Sequence, residues 1–376
     1  MMRKEVINRL ADYETIRDEL VENVIGEVVK EKERSYGFTF EEWEEYELRL
    51  YHSLRKLDII ESLIEDEEVT EIMINGPHHI FYEKEGKIYP FEKSFESKER
   101  LREIIDQIVG EHNRRVNTKM PIVDTRLEDG SRVNVVLDPI CLEGPVVTIR
   151  KFSKAVIGMD NLIKMGTLTV EAAEFLRQAV RNRETLLITG GTGSGKTTLL
   201  NALSEEISKE QRVITIEDSA ELKLMAIPNL VRMECRDENE EGKNAITIRD
   251  LIKTALRMRP DRLIIGEVRG AEALDLMQAL NTGHQGSLST LHANSCKDAI
   301  SRLETMILMA MDLPMKAIRS QIASGVQYIV SLAKNEKGKR TLNQIVKVAG
   351  IRNGEVVLKV LFERQNNDLI RVEETI

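Results

Sequence analysis

The sequence predicts an α/β protein in which a larger domain with a mostly parallel sheet follows a smaller α+β domain and a helical N-terminal extension. Three observations predict it. Residues 1–60 carry apolar side chains at helical spacing only. Residues 61–155 change to short strand-like runs around one helix. After a linker at 156–166, residues 167–376 alternate strands and helices in the βαβ manner that specifies a parallel sheet covered by helices.

In the extension, Val6, Ile7, Leu10, Tyr13, Ile16, Leu20, Val24 and Val28 recur at steps of three and four. Ser35-Tyr36-Gly37 interrupts the pattern. Thr39 then stands three residues before Glu42, the spacing of a capping box, ahead of a helix carrying Trp43, Tyr46, Leu50 and Leu54. Glu41, Glu42, Glu44, Glu45 and Glu47 read as a solvated helix face rather than a metal cluster. In the α+β domain, strands are expected over 71–77, 80–82, 87–89, 132–137 and 146–149, with a helix through Leu101, Ile104, Ile105, Ile108 and Val109 closed by Gly110. In the larger domain, strands are expected at 185–189, 213–216, 263–265 and 287–291, and helices after Gly195 and near 247–258, 271–281 and 297–311. Asn353-Gly354 marks a hairpin between 342–348 and 355–361.

Composition narrows the function. The 376 residues are too many for one core, and 41% hydrophobic content excludes wholesale disorder. With 4% aromatics, aliphatic residues must fill the interior. A net charge of −9 argues against a protein whose main work is gripping nucleic-acid phosphates. Cys141, Cys235 and Cys296 are scattered and odd in number, which implies no disulfide framework and fits a reducing cytosol. No apolar run reaches roughly 18 residues, and the opening MMRKEVINRLADYE is too charged for a signal peptide. Any membrane attachment is expected through a partner.

The chemistry concentrates in the larger domain. Gly190-Gly191-Thr192-Gly193-Ser194-Gly195-Lys196-Thr197 matches G-x-x-x-x-G-K-[ST] between a strand and a helix, and Thr198 continues it. In such a loop backbone N–H groups curl around the phosphates of a nucleoside triphosphate. Lys196 reaches the β and γ oxygens, and the Thr197 hydroxyl ligates magnesium. Many P-loop proteins place an Asp at the end of a neighbouring strand, where this chain has Gly266; Glu267 is the acid available there, the candidate water-activating base. Glu217-Asp218 ends another strand and is expected near the nucleotide, supporting magnesium, positioning water or capping the next segment. His284 and His292 flank a block of small polar residues suited to sensing the γ-phosphate. The four-residue step from His292 to Cys296 lacks the second ligand pair of a zinc site. Met306 to Met311 reads as core packing.

These motifs, with LIIGEVRG at 263–270, occur in the same order in the secretion ATPase superfamily, which the chain resembles over roughly residues 60–360. That family drives type II and type IV secretion, type IV pili and archaeal motility filaments. ITIRDLIKTALRMRPDRLIIGEVRGAEALDLMQALNTGHQGSLSTLHANS at 246–295 is most similar to the CpaF-type ATPase of Tad (Flp) pili, and EIMINGP at 71–77 and GSRVNVVL at 130–137 resemble the same group's N-terminal domain. The acidic run Asp237 to Glu241 departs from the group's pattern.

The resemblance implies a RecA-like ATPase domain behind a PAS-like domain, ATP and Mg2+ between them, and a homohexameric ring. It also implies an inner-membrane platform protein as partner and a cytoplasmic place beside that membrane. The family's phosphate-touching arginines of the N-terminal domain match Arg132 and Arg150, and Arg257, Arg259 and Arg269 are further interface or sensor candidates. A retraction motor, a nucleic-acid translocase of the same core and a nucleotide-gated scaffold are the competing readings.

Overall fold

The computed structural model describes every residue except 1, 12, 14, 37–38, 112–115, 153–156, 237, 239–242, 336–337, 366–367 and 373–376, and the side chains of 33–36. Gly37, the start of the expected linker and most of the acidic run at 237–241 thus lie outside the described residues. The chain forms two compact units, Met1–Lys154 and Ala155–Ile376. No described helix is long and apolar enough to cross a membrane.

In the first unit α1 (Met2–Leu10), α2 (Asp18–Tyr36) and α3 (Phe40–Arg55) pack around Val6, Val21, Val24, Ile25, Val28, Trp43 and Leu50. The apolar repeat expected to run unbroken through residue 28 does not: the helix stops at Leu10, and Ile7, Tyr13 and Ile16 are exposed. The capping box is present, with Thr39 Oγ1 accepting from the Glu42 N–H and the Glu42 carboxylate accepting from the Thr39 N–H. Glu41, Glu42, Glu44 and Glu45 are exposed, and the described residues contain no cluster of three or more acidic, His or Cys side chains placed to share a metal ion.

A short α4 (Glu61–Glu65) leads into an antiparallel sheet ordered β3-β2-β1-β6-β5-β4. Its strands are β1 (Val69–Asn75), β2 (Ile80–Lys84), β3 (Lys87–Pro90), β4 (Ile122–Arg126), β5 (Arg132–Val136) and β6 (Val146–Arg150). Strand alternation sends Ile72, Ile74, Val133, Val135, Val147 and Ile149 into one core with Leu101, Ile104, Ile105 and Ile108 of α5 (Lys98–Gly110). The other face carries the polar partners. β4 was not expected from sequence; it is an edge strand with one buried residue, Thr125, and hence almost no alternation to read.

The second unit begins with α6 (Met159–Lys164), inside the stretch expected to be a linker, and Met159 and Leu162 are buried in its core. Then follow α7 (Val170–Arg181), β7 (Leu186–Gly190), α8 (Lys196–Ser204), β8 (Val213–Glu217), β9 (Leu230–Glu234), α9 (Ile248–Ala255), β10 (Arg262–Val268), α10 (Glu272–Asn281), β11 (Leu288–Leu291), α11 (Cys296–Ala310), α12 (Met315–Gly325), β12 (Tyr328–Lys334), β13 (Arg340–Arg352), β14 (Glu355–Gln365) and β15 (Asp368–Arg371). The sheet order is β15-β14-β13-β12-β7-β11-β10-β8-β9. The six strands from β12 to β9 are parallel, and β13 to β15 add an antiparallel edge.

Both faces of this sheet are covered, so its strands are apolar on both sides. Leu186, Ile188, Ile264 and Val330 face α6, α7 and α8, while Leu187, Ile265, Leu291 and Ile329 face α9 to α12. Asn353 and Gly354 both take positive φ, 53° and 79°, as a two-residue type I′ hairpin turn requires. At the edge where the parallel strands begin, the buried Arg262 donates to the carbonyls of Val180 and Gly286 and to Gln211 Oε1. Burial pushes its guanidinium down to about 10, still cationic at neutral pH. Arg262→Met is expected to leave those acceptors unpaired and to cost about 3 kcal/mol in urea unfolding; a change below about 0.5 kcal/mol would show the strut to be idle.

Candidate functional site

Because β12, β7, β11, β10 and β8 run parallel, the loops that follow them meet at one edge of the sheet. The loop after β7 is the glycine-rich one. Gly190 has φ of 156°, and a Cβ there would sit 2.5 Å from both Leu332 O and Ser194 Oγ, so no side chain fits between β12 and the loop's return. Gly195, at φ of 96°, turns the chain into α8. The first turn of a helix leaves N–H groups without intrahelical acceptors, which suits them to phosphate oxygens.

Lys196 is buried at the start of α8. Its Nζ donates to Gly190 O and Gly191 O, both at 3.0 Å, and lies 3.4 Å from His292 Nδ1. His292, just past β11, places its Nε2 at 2.9 Å from Glu267 Oε1. An ammonium can only donate, which assigns Nδ1 as the acceptor and the imidazole proton to Nε2, on the side of Glu267, although the approach to Oε1 is not aligned as a hydrogen bond. Burial, then the Lys196 charge, hold the imidazole below its ordinary pKa despite Glu267. Lowered in the fold, this group favours the native state above the ordinary histidine pKa, and that contribution is lost as pH falls through it. The urea midpoint of His292→Gln is therefore expected to fall less than wild type between about pH 7 and 5; parallel curves would contradict the assignment.

Glu267 stands in β10 where the register against β11 slips, between Ile265 and Val268. Such a bulge re-aims a side chain, and Thr290 Oγ1 pins this one by donating to Gly266 O at 2.6 Å. Thr189 Oγ1 likewise donates to Ala293 O and ties the loop carrying His292 to β7. The small polar residues around β11 thus hold the loops in place. Arg269 Nη2 donates to Glu267 Oε2 at 3.1 Å, and its Nη1 to the exposed Asp218 at 3.4 Å.

Glu217, at the end of β8, is buried, and burial raises its carboxyl pKa. Oε2 accepts from the Glu221 and Leu222 N–H groups, the capping role, while the buried Oε1 has no hydrogen-bond partner among the described residues. A Cβ on Gly266 would come 3.0 Å from Glu217 Cγ, so Glu217 fills the space an aspartate at 266 would need. Glu217 and the Thr197 hydroxyl at α8 are the oxygen-bearing side chains here that could hold a divalent cation.

The other candidates sort by topology. His284 precedes β11, two residues before Gly286, whose carbonyl Arg262 holds; it is at the opposite edge from the glycine-rich loop, and its Nδ1 faces Ala279 O. The pairing of His284 with His292 in one site is therefore corrected within this chain, because the strand between them carries them to opposite ends of the sheet. Arg257 and Arg259 precede β10, at the same far edge. Cys296 is turned into the core against Ile329 O, its thiol pushed up to about 12 by burial, so it makes no zinc pair with His292. Arg132 and Arg150 are cross-strand neighbours on the sheet of the first unit, and Arg126 continues the row beside Arg132. Arg126 was missed in sequence, as were Lys334 and Arg340, which face each other across β12 and β13 over the loop tip, Arg340 Nε donating to Gly193 O at 3.1 Å. Spacing offers no signal across the sequence separation of 147 between Gly193 and Arg340.

The family model for type II/IV secretion system proteins matches residues 53–352. The chain is 32% identical over 294 residues to the conjugal transfer protein TrbB of Rhizobium radiobacter, covering 77% of this chain and 87% of that protein. It is 30% identical over 307 residues to the type IV secretion system protein PtlH of Bordetella pertussis, covering 75% and 90%. In fold it is similar to the pilus retraction motor PilT with bound ADP, at a TM-score of 0.55 and 22% identity over 77% of this chain and 82% of that one.

Proposed function

The chain belongs to the type II/IV secretion system protein family, and from that premise we propose that it is an ATPase whose turnover drives a pilus-assembly or secretion machine. The convergence of Lys196, His292 and Glu267 at the mouth of the glycine-rich loop carries the reading. In this mechanism Lys196 leaves the Gly190 and Gly191 carbonyls and takes the β and γ oxygens of ATP. Glu267, held by Arg269, orients a water and accepts its proton. Neutral His292 adds an N–H donor without a second charge. Thr197 and Glu217 would hold magnesium, which would supply charge neutralisation to the phosphates.

The second unit acts as the RecA-like motor domain and the first as its PAS-like lever. Arg126, Arg132 and Arg150 stand side by side on adjacent strands of that lever, with Glu71 paired opposite Arg150. We assign this row to the nucleotide phosphates, as the family resemblance of Arg132 and Arg150 implies, with a ring of six copies cycling between open and closed sites on the cytoplasmic face of the inner membrane. The wording of 246–295 favours a Tad (Flp) pilus and a membrane platform protein as partner. Mass measurement of the full chain at micromolar concentration, with and without a non-hydrolysable ATP analogue and magnesium, tests the ring. A six-copy species with nucleotide is the expected result; a monomer under every condition overturns the motor.

A further inference from the structure

A cavity of about 470 Å³ opens beside the glycine-rich loop on the side of α11. Its inner wall is Gly190, Gly191 and His292, and those two glycine carbonyls are the ones that hold Lys196 Nζ. Its outer wall includes Asn294, Asp298 and Arg302. Arg302 is exposed and has no hydrogen bond or ion pair among the described residues; the nearby acid Glu304 is engaged by Arg319 instead. Its charge is nevertheless felt at His292, as one of the cations that press the imidazole toward its neutral form.

Resting on the reading of this centre as an ATPase, we propose that the cavity is the exit port for the inorganic phosphate cleaved from ATP, with Arg302 as the receiving cation. The cleaved group is set free at Lys196, whose Nζ touches Gly190, Gly191 and His292, three residues that line the cavity, so the route to Arg302 leads away from the ADP still held by α8. A guanidinium takes two phosphate oxygens at once, and Asn294 offers a further amide donor. Asp298 stands one turn before Arg302 on the same helix, so the wall is mixed in sign. That keeps phosphate binding weak, as suits a product whose departure often limits turnover.

The test is product inhibition of the full-length ATPase by inorganic phosphate, with MgADP affinity measured alongside. Arg302→Gln is expected to raise the phosphate inhibition constant about ten-fold, and Arg302→Lys to restore most of it, since the charge returns without the fork. MgADP affinity should stay within about two-fold in both. An unchanged constant, a wild type that phosphate does not inhibit, or ADP and phosphate weakening together would each overturn the exit port. Those outcomes leave hydrolysis in place; absence of hydrolysis in wild type, or its survival in Lys196→Ala, removes the ATPase reading and the port with it.

Discussion

Lys196→Ala is expected to lower ATP turnover by about 10²–10³-fold and to weaken binding of a fluorescent ATP analogue. The physical reason is the position of Nζ, which is held by two carbonyls of the loop itself beside His292 and can pass to phosphate oxygens without a large rearrangement. The substitution carries a second readout that does not depend on nucleotide. The Lys196 charge is the second cause holding the His292 imidazole down, after burial, so its removal should raise the imidazole pKa toward the ordinary value, as followed by NMR titration. Turnover like wild type would remove the nucleotide site, and an unmoved imidazole would remove the contact on which the site is built.

Glu267→Gln should separate binding from chemistry. The amide keeps the shape and can still accept from Arg269, but it cannot take a proton from water. Turnover is expected to fall about 10²–10⁴-fold, while affinity for the ATP analogue changes by no more than a few-fold. Asp218→Asn is the companion: Asp218 is exposed and reaches Glu267 only through Arg269, so its effect should be about ten-fold or less. Equal turnover in wild type and Glu267→Gln would displace the base assignment altogether.

The position of the glycine-rich loop between β7 and α8 was legible because its signal lies in glycines and one lysine that are local in sequence. The approach of Glu267 to the loop was legible because the apolar run 263–265 points to that edge of the sheet, although β10 continues through Val268. The bulge that turns Glu267 was not, since register is a relation between two strands. For the same reason the eight-residue step from His284 to His292 read as one site: both are near the strand in sequence, and only the direction of β11 separates them. α12 and β12 are absent from the expected elements because they abut at Gly325 and Val326, and Gln327 and Ser331 break the apolar residues from Val326 to Leu332 so that no clear period shows. Arg302, Lys334 and Arg340 come from distant stretches that only the fold brings to the loop.

The closeness of Gly266 to Glu217 bears on how such centres diversify. The Glu217 side chain on one strand occupies most of the room beside Gly266 on the next, so the two positions share one volume. A larger side chain at 266 therefore makes Glu217 give way by a few tenths of an ångström, so the two positions are coupled in size and a change at one is best accommodated by trimming the other.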